Sequence, residues 1–442
     1  MEQIDNQYFG KEKITRILIK LAPPVMLSQL IQALYNIVDS LFVGKNGASG
    51  LTALSILYPI QLLMIAIAVG TGVGINTIMA SKFGLEKDNE AFQYAGIGTP
   101  LAIFLWLIFT IIMWFFMPIY AKMSTSSTAV IHDVIVYGRI VCVFSFGLFL
   151  ESIWTKIIQA KGDMKTPMIA QILGALTNIV LDPILIFGMF HMPKMGIAGA
   201  AIATVIGQMV AAAIVYKKGY YRPPQLNIFP NYIKRIYHMG YANILMQITY
   251  TFYIFGLNMI LSQFSDQAVT VLGLYYKWQS FFFIPLNAMQ TCIVPILSFN
   301  WASKNIERCK KTLHLSILFG MVLMIIGTLF FECIPTQMLS VFSHDPVVLK
   351  IGKNAFRMIG LSFIPLVTSL TFPVFFQAIG QAIKSSCLTI LRTIILFVPL
   401  GYLLSLIGLD WFWLCFLLTE IFTTLIGFIL YHRFILNQKT TI

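Results

Sequence analysis

The sequence predicts an all-α polytopic membrane protein, with twelve transmembrane helices in two six-helix lobes related by a pseudo-two-fold axis along the membrane normal. Three observations predict it: an apolar composition, recurring long apolar runs, and an internal repeat. Charged residues make up 11% of the 442 residues and apolar residues 58%. A soluble globular chain carries about 25% charged residues. The chain therefore has too little charge to cover a water-exposed surface.

Long apolar runs recur along the whole chain. "PLAIFLWLIFTIIMWFFMPI" (100–119) and "LSILFGMVLMIIGTLFF" (315–331) each approach the roughly 20 residues that a helix needs to cross a bilayer core of about 30 Å. Twelve such segments are predicted, near 16–43, 51–81, 95–119, 130–155, 166–190, 196–216, 236–262, 267–298, 311–333, 347–377, 385–408 and 411–431.

The placement of the basic residues explains the net charge of +13. Most lysines and arginines of the predicted loops lie at the N-terminus and after even-numbered segments. The loops on the opposite side hold only Lys45, Lys122, Lys194, Lys350 and Lys353. By the positive-inside rule, this asymmetry predicts a multi-pass protein of the cell membrane with both termini in the cytoplasm. The charge therefore reflects topology, and we expect no nucleic-acid partner.

The two halves of the chain resemble each other at an offset of 218 residues. At this offset, polar residues within the predicted membrane segments of one half align with polar residues in the other half. Chance would give scattered matches rather than this alignment. "QAKG" (159–162) likewise meets "QAIG" (377–380). The matched pairs include Gln29 with Gln247, Tyr35 with Tyr253, Tyr58 with Tyr276, and Gln61 with Gln279.

The repeat predicts the domain organisation. We expect an N-terminal lobe over residues 1–218 and a C-terminal lobe over 236–442. The polar stretch 219–235 between them is predicted to be a cytoplasmic linker. In transporters built from such repeats, the substrate site lies near the bilayer midplane between the repeats. The repeat therefore favours a transport function.

Ionisable residues within the first lobe are the strongest candidates for a functional site. Asp182 lies in the middle of the fifth segment, and Asn178, four residues earlier, shares its helix face. Asp39 lies in the first segment. Such residues are costly in a membrane, so they usually face a protein interior or an aqueous cavity. Two carboxyl groups in one apolar pocket cannot both easily stay charged, so they would hold a proton or bind a cation.

The residue types leave the coupling ion open. Asn178 and a hydroxyl group would supply neutral oxygens suited to Na⁺, whereas a carboxyl pair alone suits H⁺. A simpler alternative is that Asp39 and Asp182 only bond each other or nearby amides as internal structure. Pro23 and Pro24, earlier in the first helix, are predicted to form a hinge because proline removes a backbone hydrogen bond.

The second lobe lacks this acidic pair, because leucines occupy the matching positions 257 and 400. The charges noted within its helices are basic, Lys277 and Arg392, for which a snorkelling or purely structural role is the alternative. The predicted substrate cavity is lined by polar residues of both lobes: Gln32, Tyr35, Asn36, Gln61, Gln247, Tyr253, Lys277 and Gln279.

Four motifs resemble those of the multidrug and toxic compound extrusion family, especially its MepA-like and DinF-like branches. They are "ALYNIVDSLFVG" (33–44), "QAKGDMKTPM" (159–168), "TNIVLDPILIFG" (177–188) and "GIAGAAIATVIGQ" (196–208). The resemblance implies a multidrug efflux antiporter that exports bulky, mostly cationic organic compounds in exchange for H⁺ or Na⁺.

The resemblance also implies which residues bind the coupling ion. The matching positions are Asp39, Asn178, Asp182 and Thr204, which would also be the metal ligands if the ion is Na⁺. No cofactor other than this ion is implied, and we expect a monomer embedded in the lipid bilayer. A branch with acidic cation-site residues in its second lobe fits less well, because those residues are missing at the positions that align.

Two other functions compete with drug export. A flippase for lipid-linked oligosaccharide or peptidoglycan precursors would belong to the same superfamily, but it would be expected to line its cavity with arginines. An enzyme is disfavoured because the sequence contains no "HExxH", paired "GxGD" or rhomboid-type Ser/His pattern, and no P-loop.

Overall fold

The computed structural model describes residues 8–46 and 48–439 as a chain of helices. Their bounds are α1 Tyr8–Lys11, α2 Ile14–Asn46, α3 Ala48–Gly84, α4 Asp88–Ser124, α5 Thr128–Val143, α6 Phe146–Ala160, α7 Lys165–Phe187, α8 Ile197–Gly219, α9 Phe229–Leu261, α10 Asp266–Phe282, α11 Ile284–Ala302, α12 Ile306–Cys333, α13 Pro335–Ser340, α14 Pro346–Gly360, α15 Phe363–Ala378, α16 Ala382–Ile390, α17 Val398–Ser405, α18 Leu409–Phe412 and α19 Leu414–Lys439. A π-helical segment, Leu391–Phe397, joins α16 to α17.

The predicted all-α membrane fold is confirmed. Within the described residues, nine helical stretches are long and apolar enough to cross a membrane by themselves, and three bent helix pairs bring the number to as many as twelve. The bends are 46° between α5 and α6, 51° between α10 and α11, and 54° between α14 and α15. Each of these pairs corresponds to one segment that the hydropathy pattern predicts as a single helix.

The internal repeat is visible in the positions of the bends. The break between α5 and α6 lies at residues 144–145, and the break between α14 and α15 at 361–362. These breaks are 217 residues apart, within one residue of the offset of 218 that relates the two halves of the sequence. By contacts, the chain divides into one compact unit of Met1–Ile244 and Ser298–Ser303, and a second of Leu245–Leu297 and Lys304–Ile442. The lobe bounds 1–218 and 236–442 and the linker 219–235 stay a prediction.

The motif "QAKGDMKTPM" connects three helix ends in the first unit. Asp163, between α6 and α7, accepts hydrogen bonds from Lys218 Nζ at 2.7 Å and from Thr166 Oγ1 at 2.7 Å. Lys161 Nζ donates to the Lys218 carbonyl at 3.0 Å. Burial raises the pKa of Asp163, but the hydrogen bonds from Lys218 and Thr166 outweigh it and hold the pKa below its ordinary value. The network fixes the end of α8 against the start of α7.

The second unit has an aromatic core and a local widening of one helix. Phe331 stacks on Phe356 with 4.7 Å between ring centroids, and Tyr275 packs edge-on against Phe416 at 5.3 Å. The π-helical segment directly precedes Pro399 in the first turn of α17. Proline has no backbone N–H and clashes with the carbonyl group one turn earlier, so a wider turn there relieves the clash.

Candidate functional site

Two glycines bring the helices that carry the candidate site together. Helices α7 and α8 form an antiparallel pair, and α2 packs on α7. Where α7 and α8 cross, a Cβ built on Gly207 would lie 2.7 Å from the Gly174 carbonyl oxygen, and one built on Gly174 would lie 2.8 Å from the Gly207 carbonyl oxygen. Only glycine allows this approach, which small residues provide in membrane helix pairs. Asn178 and Thr204 lie one turn from the crossing and are therefore close to each other.

We expect Gly207→Ala to loosen this crossing. The added methyl group would overlap backbone atoms that cannot rotate away, so α7 and α8 must separate. Overpacking of this kind costs about 1–3 kcal/mol. The measurement is the thermal unfolding midpoint of the purified protein in detergent. Gly273→Ala is a suitable control, because a Cβ built on Gly273 has no atom within 4 Å. Equal midpoints for the two variants would contradict the tight crossing.

Asn178 connects α7 to α8 at the centre of the site. With its amide group oriented to satisfy both ends, Asn178 Nδ2 donates to Asp182 Oδ2 at 3.0 Å, and Asn178 Oδ1 accepts from the Thr204 backbone N–H at 3.1 Å. Asp182 has no exposed surface, and Asn178 is 2% exposed. The predicted i to i+4 placement of Asn178 and Asp182 therefore produces a contact.

Asp39 of α2 completes a pair of buried carboxyl groups. Its side chain lies within hydrogen-bonding reach of the Asp182 carboxyl group. Asp39 is 8% exposed, and its Oδ1 is buried without a hydrogen-bond partner. A buried acceptor without a donor is unfavourable unless a water molecule, a proton or a cation satisfies it. The arrangement can therefore hold one positive charge.

Tyr137 of α5 also belongs to this site, although the sequence analysis missed it. The side chain is buried, and its hydroxyl group lies beside Thr204 and Gln61. Tyr35 of α2 lies close to both Asp39 and Asp182. The signal for Tyr137 was a lone phenol in the apolar run "VIVYGRIV", which is weak because tyrosine is common in cores.

The other predicted residues of the first unit occupy different positions. Gln32 and Asn36 are exposed on α2, and Gln61 is half-buried on α3. Pro23 and Pro24 lie inside α2, which continues through them as one helix from Ile14 to Asn46. The hinge and the substrate cavity remain predictions.

In the second unit, the predicted cavity residues have varied environments. Tyr253 is buried and stacks on Phe397 with 4.8 Å between ring centroids. Gln279 is buried with an unpartnered Oε1, and Gln247 is half-buried. Lys277 is exposed, with its Nζ 4.9 Å from the centre of the Phe342 ring. That contact is typical of a cation resting on an aromatic face.

Arg392 has a partner that the sequence analysis overlooked. Glu420 of α19 accepts from Arg392 Nη2 at 2.6 Å and from Arg392 Nε at 3.0 Å, and Ser369 Oγ donates to the same carboxyl group. The side chains are 7% and 1% exposed. The description of the charges within the second lobe as basic is therefore wrong in this respect. The signal was the single acid in the apolar run "LCFLLTEIF".

The site of the first unit combines two carboxyl groups with neutral polar side chains. Within residues 8–46 and 48–439, no group of three or more His, Cys, Asp or Glu side chains converges. Asp39 and Asp182 supply carboxylate oxygens, and Asn178 and Thr204 supply neutral polar atoms. This set fits one proton or one hard cation that prefers oxygen ligands.

A helical membrane protein with an internal repeat and buried ionisable residues inside its helices has the architecture of a transporter. The family model described as MatE matches the chain twice, over residues 24–184 and 243–403. The chain therefore belongs to the multidrug and toxic compound extrusion (MATE) family. Members are membrane transporters rather than enzymes and need no bound cofactor. The predicted family is confirmed, and so is the repeat.

The chain is similar along most of its length to several proteins of this kind. It is 25% identical over 411 residues to the FAD transporter of Shewanella oneidensis, covering 89% of both chains. It is 23% identical over 416 residues to the multidrug export protein MepA of Staphylococcus aureus, covering 91% of this chain and 90% of that one. An outward-facing multidrug resistance MATE transporter of the MOP superfamily has the same fold, with a TM-score of 0.91, 23% identity and 98% coverage of both chains.

Proposed function

We propose that this protein is a secondary active antiporter that exports organic, mostly cationic compounds in exchange for H⁺ or Na⁺. The observation that carries the proposal is the buried pair Asp39 and Asp182, joined by Asn178 and Thr204 within the first unit. Two relatives support the export of small molecules: one is named a multidrug export protein and matches 91% of this chain, and the other is named a probable multidrug resistance protein and matches 80% of it.

The chemistry of the site supports a coupling role. Asp39 Oδ1 has no partner, so the site holds an acceptor ready for one more positive charge. Binding that charge would neutralise the pocket and change the contacts between α2 and α7. A transporter can use such a change only if the ion and the substrate favour different conformations. Pro23 and Pro24 lie in α2, so we propose that they form the hinge at which this helix bends when the ion binds.

The remaining parts of the proposal concern location and assembly. The multi-pass fold and the bacterial relatives support the cell membrane as the location. The basic loops favour cytoplasmic termini, which a cysteine-accessibility assay on intact cells would test. We propose that one chain is sufficient for transport, because a single chain supplies both repeats.

Transport by the purified protein in sealed vesicles tests the function. Vesicles would be loaded with a fluorescent organic cation and given either a proton gradient or a sodium gradient. We expect efflux with one of these gradients and none without a gradient. Efflux that requires neither gradient would contradict the antiport mechanism.

Substrate binding should also depend on the coupling ion. By linkage, the ion and the drug each lower the other's affinity, and a tenfold change corresponds to about 1.4 kcal/mol. Drug affinity in detergent should therefore fall as pH is lowered or as Na⁺ is raised, and Asp39→Asn should flatten this response. Isothermal titration across both series is the measurement. An affinity unchanged in both would show that the pocket is only structural.

Two further substrate classes are outcomes of the same vesicle assay. A relative named as an FAD transporter makes an anionic flavin nucleotide a second candidate substrate. Transport of a lipid-linked sugar precursor would instead indicate a flippase. Gradient-driven movement of either compound, without movement of organic cations, would overturn the proposed substrate class.

A further inference from the structure

Arg139 is an unusual charge on the apolar surface of the first unit. It lies in α5, in the run "VIVYGRIVCV", and its side chain is partly exposed. Helix α4 lies beside it, and only 22% of the residues in the apolar stretch of α4 are buried within the protein. Ile111, Trp114 and Phe115 of α4 are 58%, 45% and 72% exposed. An apolar surface this exposed on a membrane-spanning helix faces lipid.

The contact between α4 and α5 holds the guanidinium group in place. Between the same two helices, Trp106 Nε1 of α4 donates to the Val143 carbonyl of α5 at 2.8 Å. Arg139 Nη2 donates to the Trp114 carbonyl at a long 3.4 Å. The guanidinium carbon lies 4.5 Å from the centre of the Trp114 ring, in a cation–π contact.

This arrangement leaves the charge of Arg139 without an anion. Its Nε is buried without a hydrogen-bond partner. No acidic side chain of the described residues forms an ion pair with it, and Asp133, earlier in α5, contacts His132 at 3.5 Å. A guanidinium group has five N–H donors, and a charge in an apolar medium requires a counter-charge.

We propose that Arg139 and Trp114 form a binding site for the phosphate group of a membrane phospholipid. Arginine matches a phosphate with two parallel hydrogen bonds, and the Trp114 ring covers one face of the guanidinium group. The exposed side chains of Ile111 and Phe115 would contact the acyl chains. The lipid belongs to the leaflet at the Lys122 end of α4.

The depth of the site determines how a lipid headgroup would reach it. Arg139 is six residues from Asp133, or about 9 Å along the helix, and Trp114 is eight residues from Lys122, or about 12 Å. Half of the hydrocarbon core is about 15 Å thick. The Arg139 backbone therefore lies more than half-way into its leaflet. A phosphate would reach the guanidinium group because the long side chain extends toward the interface and the bilayer thins locally.

Lipid binding to the delipidated full-length protein tests the proposal. Native mass spectrometry would measure the binding of phosphatidylglycerol to the wild type, to Arg139→Gln and to Lys122→Gln. Lys122 is an exposed basic residue at the same end of α4 and is a matched control. We expect the most tightly bound phosphatidylglycerol molecule to bind Arg139→Gln about tenfold more weakly than the wild type, because charge-assisted hydrogen bonds are lost. Its affinity for Lys122→Gln should equal that for the wild type. Equal binding by all three proteins would overturn the site.

Further ligands and a wild-type measurement complete the test. Diacylglycerol, which lacks the phosphate, should not displace the bound lipid, and inorganic phosphate should not bind in its place. Displacement by either compound would overturn the assignment to a phospholipid phosphate. In the wild type, a phospholipid with a photoreactive headgroup should label peptides that contain Trp114 or Arg139. Labelling only elsewhere would also overturn it, independently of how the variants fold.

Discussion

Asp182→Asn and Asp39→Asn should each abolish drug export while the protein still folds. Each change removes a negative charge from a buried site, so the variant loses a proposed ligand of the coupling ion without leaving an unpaired charge behind. We expect the export rate in vesicles to fall at least about tenfold, which corresponds to about 1.4 kcal/mol in the barrier. In cells, drug resistance should fall to the level without the transporter.

Three variants separate this result from a general loss of structure. Asp410→Asn makes the same chemical change at an exposed position and should keep full activity. Thr204→Ser keeps a hydroxyl group beside Tyr137, whereas Thr204→Val removes it. We expect the serine variant to export and the valine variant to be impaired. Full resistance in cells that carry Asp39→Asn or Asp182→Asn would refute the coupling role.

Glu420→Gln should strongly destabilise the second unit. Arg392 and Glu420 are almost fully buried, so removing the carboxylate leaves the guanidinium charge without its partner. Breaking a buried ion pair on one side costs about 3–5 kcal/mol. The unfolding midpoint in detergent and the midpoint of an unfolding titration would both fall.

A double variant shows whether the loss comes from the unpaired charge. Arg392→Met combined with Glu420→Leu removes both charges and keeps similar volumes, so it should recover most of the stability lost in either single variant. Lys277→Gln changes an exposed lysine and should alter stability by no more than about 0.5 kcal/mol. If the single variants are as stable as the wild type, the ion pair of Arg392 and Glu420 does not contribute to the stability of the second unit. A stable double variant that fails to transport would assign the pair a role in transport.

The positions of the helices could be predicted from the sequence with good accuracy. The predicted segment 166–190 corresponds to α7 at Lys165–Phe187, and 196–216 to α8 at Ile197–Gly219. Hydropathy is sufficient to locate these helices. In lipid the backbone must form its own hydrogen bonds, and an α-helix does so within a single segment. The bend at residues 144–145 was not predicted, since all its residue types are compatible with a straight helix.

The candidate site was predictable where its residues share one helix, and less so across helices. Asn178 and Asp182 are four residues apart, so helix geometry alone places them together. That Asp39 reaches Asp182 depends on how α2 packs on α7, and local sequence does not encode that packing. The presence of both acids in one lobe suggested a shared pocket, the family resemblance implied the same, and in the structure the two carboxyl groups lie within hydrogen-bonding reach.

The sequence by itself determined that this chain spans a membrane, repeats a six-helix plan and carries acids inside its first half. These are properties of composition and spacing along one chain. Only the tertiary structure decided that Glu420 neutralises Arg392, that Tyr137 joins the acidic site, and that Arg139 rests on Trp114 without an acid. Each of these contacts joins side chains from different helices. Their distances depend on helix crossings that are set by packing at small residues such as Gly174 and Gly207, which hydropathy does not register.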